Sequence, residues 1–378
     1  MFDRLDGETR VTAHVARSDH RIHDRVQRRG IALQRHAEIA RAAVVQRRYD
    51  TFGGSQRVRP GSCGAFRLEG LRTVCSNTQG MNMKKNPRKS PGVGLIGIPF
   101  DANSSHRRGP AAAPAAIRRE LHSPAGNAYS ERGVFLGDAS LTSAARNDAR
   151  RRRSDPSPYL DHGDLTVPQR AAVREPIDEI EHCVARALAV TPRIVVLGGD
   201  HAVTYPILLA IARHWGPISL LHFDAHPDMY PAFEGNRYSH ASPMARVLED
   251  GLVQRLVQLG IRSDSPAQQR VARQYGVEVH PAYDLDRMPR LEFATPVYVS
   301  IDVDALDPAY APGVSHPEPG GLTVRQVLDT LYGVRAPAFV GGDVVELNPL
   351  LDASGRTTLV AAKLARELLA RLITDAAA

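Results

Sequence analysis

From residue 92 onward, short apolar runs alternate with longer amphipathic stretches, a pattern typical of strands that alternate with helices. Strands are predicted at 93–98, 133–136, 194–197, 218–223, 256–260, 277–279, 297–301 and 338–345. Helices are predicted at 114–121, 168–190, 203–214, 241–251, 266–275, 323–332 and 357–373. This alternation predicts a single α/β domain with a mostly parallel, doubly wound sheet of eight strands. The stretch 138–165 is interpreted as a solvated surface loop.

The apolar run that starts at Ile218 ends abruptly in three polar side chains, Asp224, His226 and Asp228. Side chains two residues apart in an extended chain point the same way, so all three are predicted to converge at one strand end. Two carboxylates and an imidazole without partners at the edge of a core are costly. A bound metal ion would balance them.

Three further apolar runs also deliver acidic or imidazole groups at their carboxyl ends. They lead into Gly198-Gly-Asp-His201, into Asp302-Val-Asp304 and into Glu346. In an open α/β sheet, the carboxyl ends of the strands are where sites form. The pattern therefore predicts one site built from four strand ends.

Six of these side chains have the chemistry of a two-metal centre. Four carboxylates would neutralise two divalent cations, and some of them could bridge the pair. Oxygen ligands mixed with imidazole favour Mn²⁺, with Ni²⁺, Fe²⁺, Co²⁺ and Zn²⁺ as alternatives. The candidate ligands are His201, Asp224, His226, Asp228, Asp302 and Asp304.

Charge divides the 378-residue chain into two parts. The net charge is +7, and residues 1–80 hold 15 arginines against 8 acidic residues, so that 33 basic and 33 acidic residues remain in the rest. Residues 1–80 are interpreted as a basic, disordered or non-native extension, and 81–378 as the catalytic domain. Met81 or Met83 would be the natural start. A nucleic-acid-binding tail and a mitochondrial transit peptide are the alternatives, although transit peptides are poor in acidic residues.

The four motifs together resemble the ureohydrolases, the family that includes arginases and agmatinases. The resemblance covers roughly residues 92–373 and extends to the loop 99–118, whereas residues 1–80 show none. It implies an arginase-like three-layer α/β/α fold, two Mn²⁺ per chain, and hydrolysis of a guanidino compound to urea and an amine. By the same resemblance, His201 and Asp228 would bind one metal, His226 and Asp304 the other, and Asp224 and Asp302 would bridge.

The resemblance also assigns roles to residues outside the metal cluster. Glu346 matches the glutamate that binds the guanidinium group in the family. A carboxylate suits this role, since a planar guanidinium pairs with it bidentately. His240 matches the histidine proposed to shuttle a proton to the leaving amine. Asp200 and Asp307 are interpreted as structural groups.

The substrate is expected to be agmatine, which would be hydrolysed to putrescine in polyamine biosynthesis. Tyr230 replaces an asparagine that reads the amino-acid end of the substrate in animal-type arginases. The loop 229–242 resembles agmatinases and plant-type arginases instead. Tyr230, Asn236 and Arg237 are the candidate specificity residues, and Arg237 could pair with a carboxylate. Arginase activity, or activity on another guanidino acid, is the alternative.

Two other classes of protein stay open at this stage. A metal-dependent deacetylase shares the fold but typically keeps one metal, and release of urea would distinguish the two. A catalytically silent homologue would bind metal without turnover. We expect a small-molecule guanidino substrate, no nucleic-acid or membrane partner, and a homo-oligomer, either a trimer or a hexamer. Three cysteines and no apolar run of about 20 residues predict a cytoplasmic protein.

Overall fold

The computed structural model describes residues 92–123, 126–137, 157–287 and 290–377. Its eight strands are β1 Val93–Gly97, β2 Leu160–Asp164, β3 Arg193–Leu197, β4 Ile218–Phe223, β5 Val253–Ile261, β6 Glu278–Pro281, β7 Val297–Asp302 and β8 Phe339–Val345. They form one sheet in the order β2-β1-β3-β8-β7-β4-β5-β6. Every adjacent pair is parallel, which confirms the predicted sheet.

Seven α-helices lie within the described ranges; six of them connect strands and the seventh follows β8. They are α1 Ala113–Leu121, α2 Glu175–Leu188, α3 Thr204–Trp215, α4 Pro243–Glu249, α5 Pro266–Tyr275, α6 Val324–Gly333 and α7 Arg356–Ala377. Local chemistry sets several boundaries. The Ser265 side chain accepts the Gln268 N–H at the start of α5, and Thr323 and Gln326 form a capping box at the start of α6. Among the described helices, none combines the length and apolar character that a bilayer crossing needs.

Two large hydrophobic cores lie one on each face of the sheet, and Ala128 and Phe135 form a small third cluster. The residues of β3 alternate between the two large cores, since Val195 and Leu197 pack into one core and Ile194 and Val196 into the other. The first core is completed by α1, α6 and α7, and the second by α2, α3 and α4. Because the sheet is buried on both faces, its central strands have continuous apolar sequences. The cores on the two faces confirm the three-layer α/β/α fold.

One predicted strand is wrong. Residues 133–136 form no strand, and only Phe135 makes an isolated antiparallel bridge to Tyr129. The second strand is Leu160–Asp164, at the end of the stretch interpreted as a loop. Its sequence, Leu-Asp-His-Gly-Asp, has no apolar run because this edge strand is only partly buried. The predicted helix 168–190 is shorter than expected and begins at Glu175, with Pro176 in its first turn. The predicted extension, 1–80, lies outside the described residues.

The four motif-bearing strands, β3, β8, β7 and β4, are adjacent at the centre of the sheet. Because all four are parallel, their carboxyl ends lie on the same edge. The sequence separates His201 from Glu346 by 145 positions, yet the Glu346 carboxylate accepts the His201 backbone N–H at 2.8 Å. This strand order assembles the candidate site.

Candidate metal centre and substrate site

The structure brings the six predicted metal ligands into one cluster. His201 Nδ1 lies 2.9 Å from Asp228 Oδ2, 3.2 Å from Asp224 Oδ2 and 3.3 Å from Asp302 Oδ2. His226 Nδ1 lies 3.1 Å from Asp304 Oδ2 and 3.5 Å from Asp224 Oδ1. Each imidazole thus faces its own set of carboxylates, and Asp224 contributes one oxygen to each set.

Hydrogen bonds behind His201 orient its ring. His201 Nε2 lies 3.1 Å from Ser300 Oγ, and the Ser300 hydroxyl donates to Asp343 at 2.6 Å. Asp343 also accepts from Thr204 Oγ1 and from the Tyr298 hydroxyl. Since the Ser300 proton goes to Asp343, its oxygen is free to accept from His201 Nε2–H, and His201 Nδ1 then faces the carboxylates. A partner of this kind fixes the tautomer of a metal-binding histidine.

His222 was missed from the sequence because it lies inside the apolar run of β4. His201, His222 and Asp224 place nitrogen and oxygen atoms within 4.8 Å of one another, which is metal-ligand spacing. Both His222 ring nitrogens are nevertheless occupied. Nδ1 accepts from Gln258 Nε2 at 3.0 Å, and Nε2 lies 2.8 Å from Asp224 Oδ2. His222 therefore donates to Asp224 and holds its carboxylate in place.

The electrostatics of the cluster fit bound cations. Burial raises the pKa of Asp302 well above its usual range, and the neighbouring Asp304 and Asp224 raise it further. Burial and the Asp224 charge also raise the pKa of Asp228. His201 Nδ1 is buried without a hydrogen-bond partner among the described residues, although three carboxylate oxygens surround it. A divalent cation would accept this nitrogen as a ligand and would offset the charge of the surrounding carboxylates.

Backbone conformation supports this arrangement at two non-glycine residues. Asp228 has φ 52° and Glu346 has φ 64°, both in the left-handed region. Such strain clusters at functional sites and persists where the surroundings hold it. Gly199 is needed nearby, because a Cβ there would lie 1.8 Å from the carbonyl oxygen of Phe100.

Glu346 and His240 form a pair beside the cluster. His240 Nδ1 lies 3.2 Å from Glu346 Oε1, and His240 Nε2 lies 2.9 Å from Ser105 Oγ. Burial lowers the pKa of His240, but the Glu346 carboxylate outweighs it and raises the pKa to about 9. Burial likewise opposes the charge on Glu346, yet His240 and the His201 N–H hold its pKa below the usual value. At neutral pH, Glu346 is an anion and His240 carries a proton.

Three aromatic contacts place His316, which the sequence reading did not single out, beside this pair. Its ring stacks on His240 at 4.9 Å and lies 6.3 Å from the His226 ring and 5.8 Å from the His106 ring. His316 lies in the loop between β7 and β8. Its local sequence, Gly313-Val-Ser-His316, contains no motif that would mark it as part of a site. The loop after β1 and the loop before α6 thus meet over the site.

The three predicted specificity residues differ in whether their side chains already have partners within the protein. The Tyr230 ring packs 5.2 Å from Phe233 and is partly exposed. Asn236 donates to Asn103 Oδ1 at 3.0 Å and accepts from the Tyr238 N–H, so its amide braces the loop. Arg237 is 2.6 Å from the Glu249 carboxylate, which gives it an ion-pair partner inside the protein.

The two acidic groups interpreted as structural both accept backbone hydrogen bonds. Asp200 accepts from the N–H groups of Asn103 and Ala202, and its pKa is raised to about 8 by burial and by Glu346. Asp307 accepts from the N–H groups of Ala309, Gly320 and Gly321. Each therefore shapes a loop of the site.

The fold and cluster define an α/β protein whose strand ends gather ligands suited to two metal ions. The family model described as "Arginase family" matches residues 91–370. The chain is 41% identical to arginase 1, mitochondrial, of Arabidopsis thaliana, over 74% of this chain and 80% of that protein. It is 34% identical to the human mitochondrial guanidino acid hydrolase, over 74% and 77%. This protein belongs to the arginase family, which confirms the resemblance to ureohydrolases.

A solved structure agrees with this assignment. The arginase from Medicago truncatula superposes with a TM-score of 0.61 at 39% identity, covering 75% of this chain and 88% of that one. Members of this family are hydrolases that act on small guanidino substrates at a binuclear metal centre. The Arabidopsis and human relatives have mitochondrial names, and the cytoplasmic location predicted for this chain stays a prediction.

Proposed function

We propose that this protein hydrolyses the guanidino group of arginine to urea and ornithine. The observation that carries the ureohydrolase chemistry is the Glu346–His240 pair beside the His–Asp cluster. Two divalent cations, Mn²⁺ by preference, would be held by the six predicted ligands and would lower the pKa of a shared water toward neutrality. The remaining chemistry comes from the chain's own residues.

Glu346 would bind the guanidinium group. Its carboxylate is an anion at neutral pH, is almost fully buried, and is fixed by the His201 N–H at 2.8 Å. A planar cation with parallel N–H groups matches a carboxylate in geometry and in charge. Binding at Glu346 would place the guanidinium carbon beside the cluster, where water adds to it.

His240 would supply the proton for the leaving group. After water adds to the carbon, the C–N bond to the alkyl chain breaks and the nitrogen must gain a proton. His240 is protonated at neutral pH, is held between Ser105 and Glu346, and adjoins the bound guanidinium. The products are urea, which keeps the oxygen from water, and a protonated amine.

Arginine is favoured as the substrate by the relatives reported above, two of which are arginases at 39–41% identity. Agmatine, the substrate first expected, remains the second candidate. It is supported by the aromatic pair Tyr230 and Phe233, whose rings could receive an alkyl ammonium end by cation–π contact. The two substrates differ in a single group, the α-carboxylate.

Urea release decides between the candidates. The protein, loaded with Mn²⁺, is assayed against arginine, agmatine and guanidinobutyrate, and kcat/KM is compared. We expect arginine to exceed agmatine by tenfold or more. A preference for agmatine would replace the substrate but keep the ureohydrolase assignment, and no urea from any guanidino compound would refute both.

A further inference from the structure

Arg107 is an exposed cation in the loop between β1 and α1. Its side chain forms no hydrogen bond or ion pair with another described residue. The next residue, Arg108, differs, because its Nε donates to Asp101 at 2.9 Å. Of these two adjacent arginines, Arg107 is the one left available to a ligand.

The backbone of Arg107 is held by side chains from two other segments of the chain. Its carbonyl oxygen accepts from Ser315 Oγ at 2.9 Å and from Asn348 Nδ2 at 2.8 Å. Ser315 precedes His316, whose ring stacks on His240, and Asn348 follows Glu346 by two positions. Arg107 is therefore tied to both chain segments that carry the residues of the candidate guanidinium site.

The residues just before Arg107 touch the same site. Ser105 Oγ is hydrogen-bonded to His240, and the His106 ring lies 5.8 Å from the His316 ring. Arg107 itself has φ 47°, a conformation unusual for a residue with a Cβ. Two side-chain hydrogen bonds to one carbonyl oxygen hold this strained position, and the Arg107 side chain is exposed.

We infer that Arg107 binds the carboxylate end of the substrate, as the outer counterpart of Glu346. This inference rests on the proposed function, because arginine carries a cation at one end and a carboxylate at the other. A buried carboxylate then receives the guanidinium, and an exposed guanidinium receives the carboxylate. The residue first considered for this role, Arg237, is already paired with Glu249.

The substitution Arg107→Met tests the inference. Methionine keeps a long side chain with a Cβ, so it adds no backbone strain at φ 47°, and it removes the charge. Arg107→Lys retains the charge without the planar fork, and Arg270→Ala removes an exposed arginine on α5 as a control for net charge. For each variant, kcat/KM is measured with arginine and agmatine, and ornithine and putrescine binding by calorimetry.

We expect Arg107→Met to lower kcat/KM for arginine and affinity for ornithine about 10–100-fold, the scale of a lost hydrogen bond to a charged group. Values for agmatine and putrescine should change less than about threefold, and Arg107→Lys should fall between wild type and Arg107→Met. Equal losses for both substrates, or none for arginine, would overturn the inference. If wild type releases urea from agmatine but not from arginine, the proposed substrate fails, and this inference fails with it.

Discussion

The Glu346 carboxylate accepts the His201 N–H and lies beside His240. Glu346→Gln keeps the shape of the side chain but removes the charge that opposes the guanidinium. We expect kcat/KM to fall by about 10²–10³-fold or more, the scale on which single electrostatic partners matter in active sites. Metal content, measured by elemental analysis, should stay at the wild-type value. Near wild-type turnover would remove Glu346 from the mechanism.

His240→Asn removes the proposed proton donor while leaving a polar side chain opposite Ser105. Loss of a general acid typically costs about 10²–10⁴-fold in rate, and that range is expected for kcat. His214→Asn, at an exposed position on α3, is the matched control and should leave kcat unchanged. A kcat within threefold of wild type for His240→Asn would contradict the assignment.

At the scale of whole elements, the segments that follow β3 and β8 meet at Gly199. The Glu346 N–H donates to the Gly199 carbonyl at 2.9 Å, and a Cβ on Gly199 would lie 1.8 Å from the Phe100 carbonyl oxygen. Gly199→Ala should therefore destabilise the fold by about 1–3 kcal/mol, as overpacking does, and weaken metal binding. Thermal unfolding and metal titration measure both effects.

Gly333→Ala is the control for that substitution. This glycine lies at the end of α6, and a Cβ built there meets nothing within 4 Å. Its melting temperature should match or slightly exceed that of wild type, since alanine restricts the unfolded chain. If both variants have the same melting temperature as wild type, the contact at Gly199 does not limit the packing of the strand ends.

The elements differ in how far the sequence predicts them. β4 and β7 are buried on both faces, so each reads as an apolar run that ends in acidic residues. β2 was missed because it lies at the edge of the sheet and carries Asp161, His162 and Asp164 instead of apolar residues. The clustering of His201, Asp224 and Asp302 followed from periodicity and strand polarity alone.

Other parts of the site depend on long-range pairing that a local pattern does not contain. The contact between His222 and Gln258 joins β4 to β5, and the hydrogen bonds from Ser315 and Asn348 to Arg107 span 208 and 241 positions. Each of these residues is unremarkable in its own segment. Only the order of strands in the sheet shows that they surround one site.

The described elements β1 to α7 all lie between residues 93 and 377, which suggests a test at the scale of the whole molecule. A chain that begins at Met81 should fold, bind metal and turn over as the full chain does, because the excess positive charge of residues 1–80 lies outside the family match. Circular dichroism and urea release are compared at equal metal loading. A loss of solubility or of activity on truncation would contradict this prediction.

Metal binding should stabilise the whole molecule, because folding brings four carboxylates into one buried cluster. In the absence of cations, burial and neighbouring charges raise the pKa values of Asp228 and Asp302, so the cluster costs free energy to assemble. A ligand bound only by the folded state at 100 times its Kd contributes about 2.7 kcal/mol. We therefore expect two Mn²⁺ per chain by elemental analysis, and a chelator should lower the Tm reversibly.

Asp224 gives the sharpest form of this last test, since its two oxygens face His201 and His226 separately. Asp224→Asn should reduce the metal content below two per chain and shrink the rise in Tm that Mn²⁺ produces. Asp329→Asn, on the exposed side of α6, removes the same charge far from the cluster in sequence and should retain both metals and the full rise. One metal or none in active wild type would refute the binuclear centre for this chain, because four carboxylates would then hold a single dication with two charges left over.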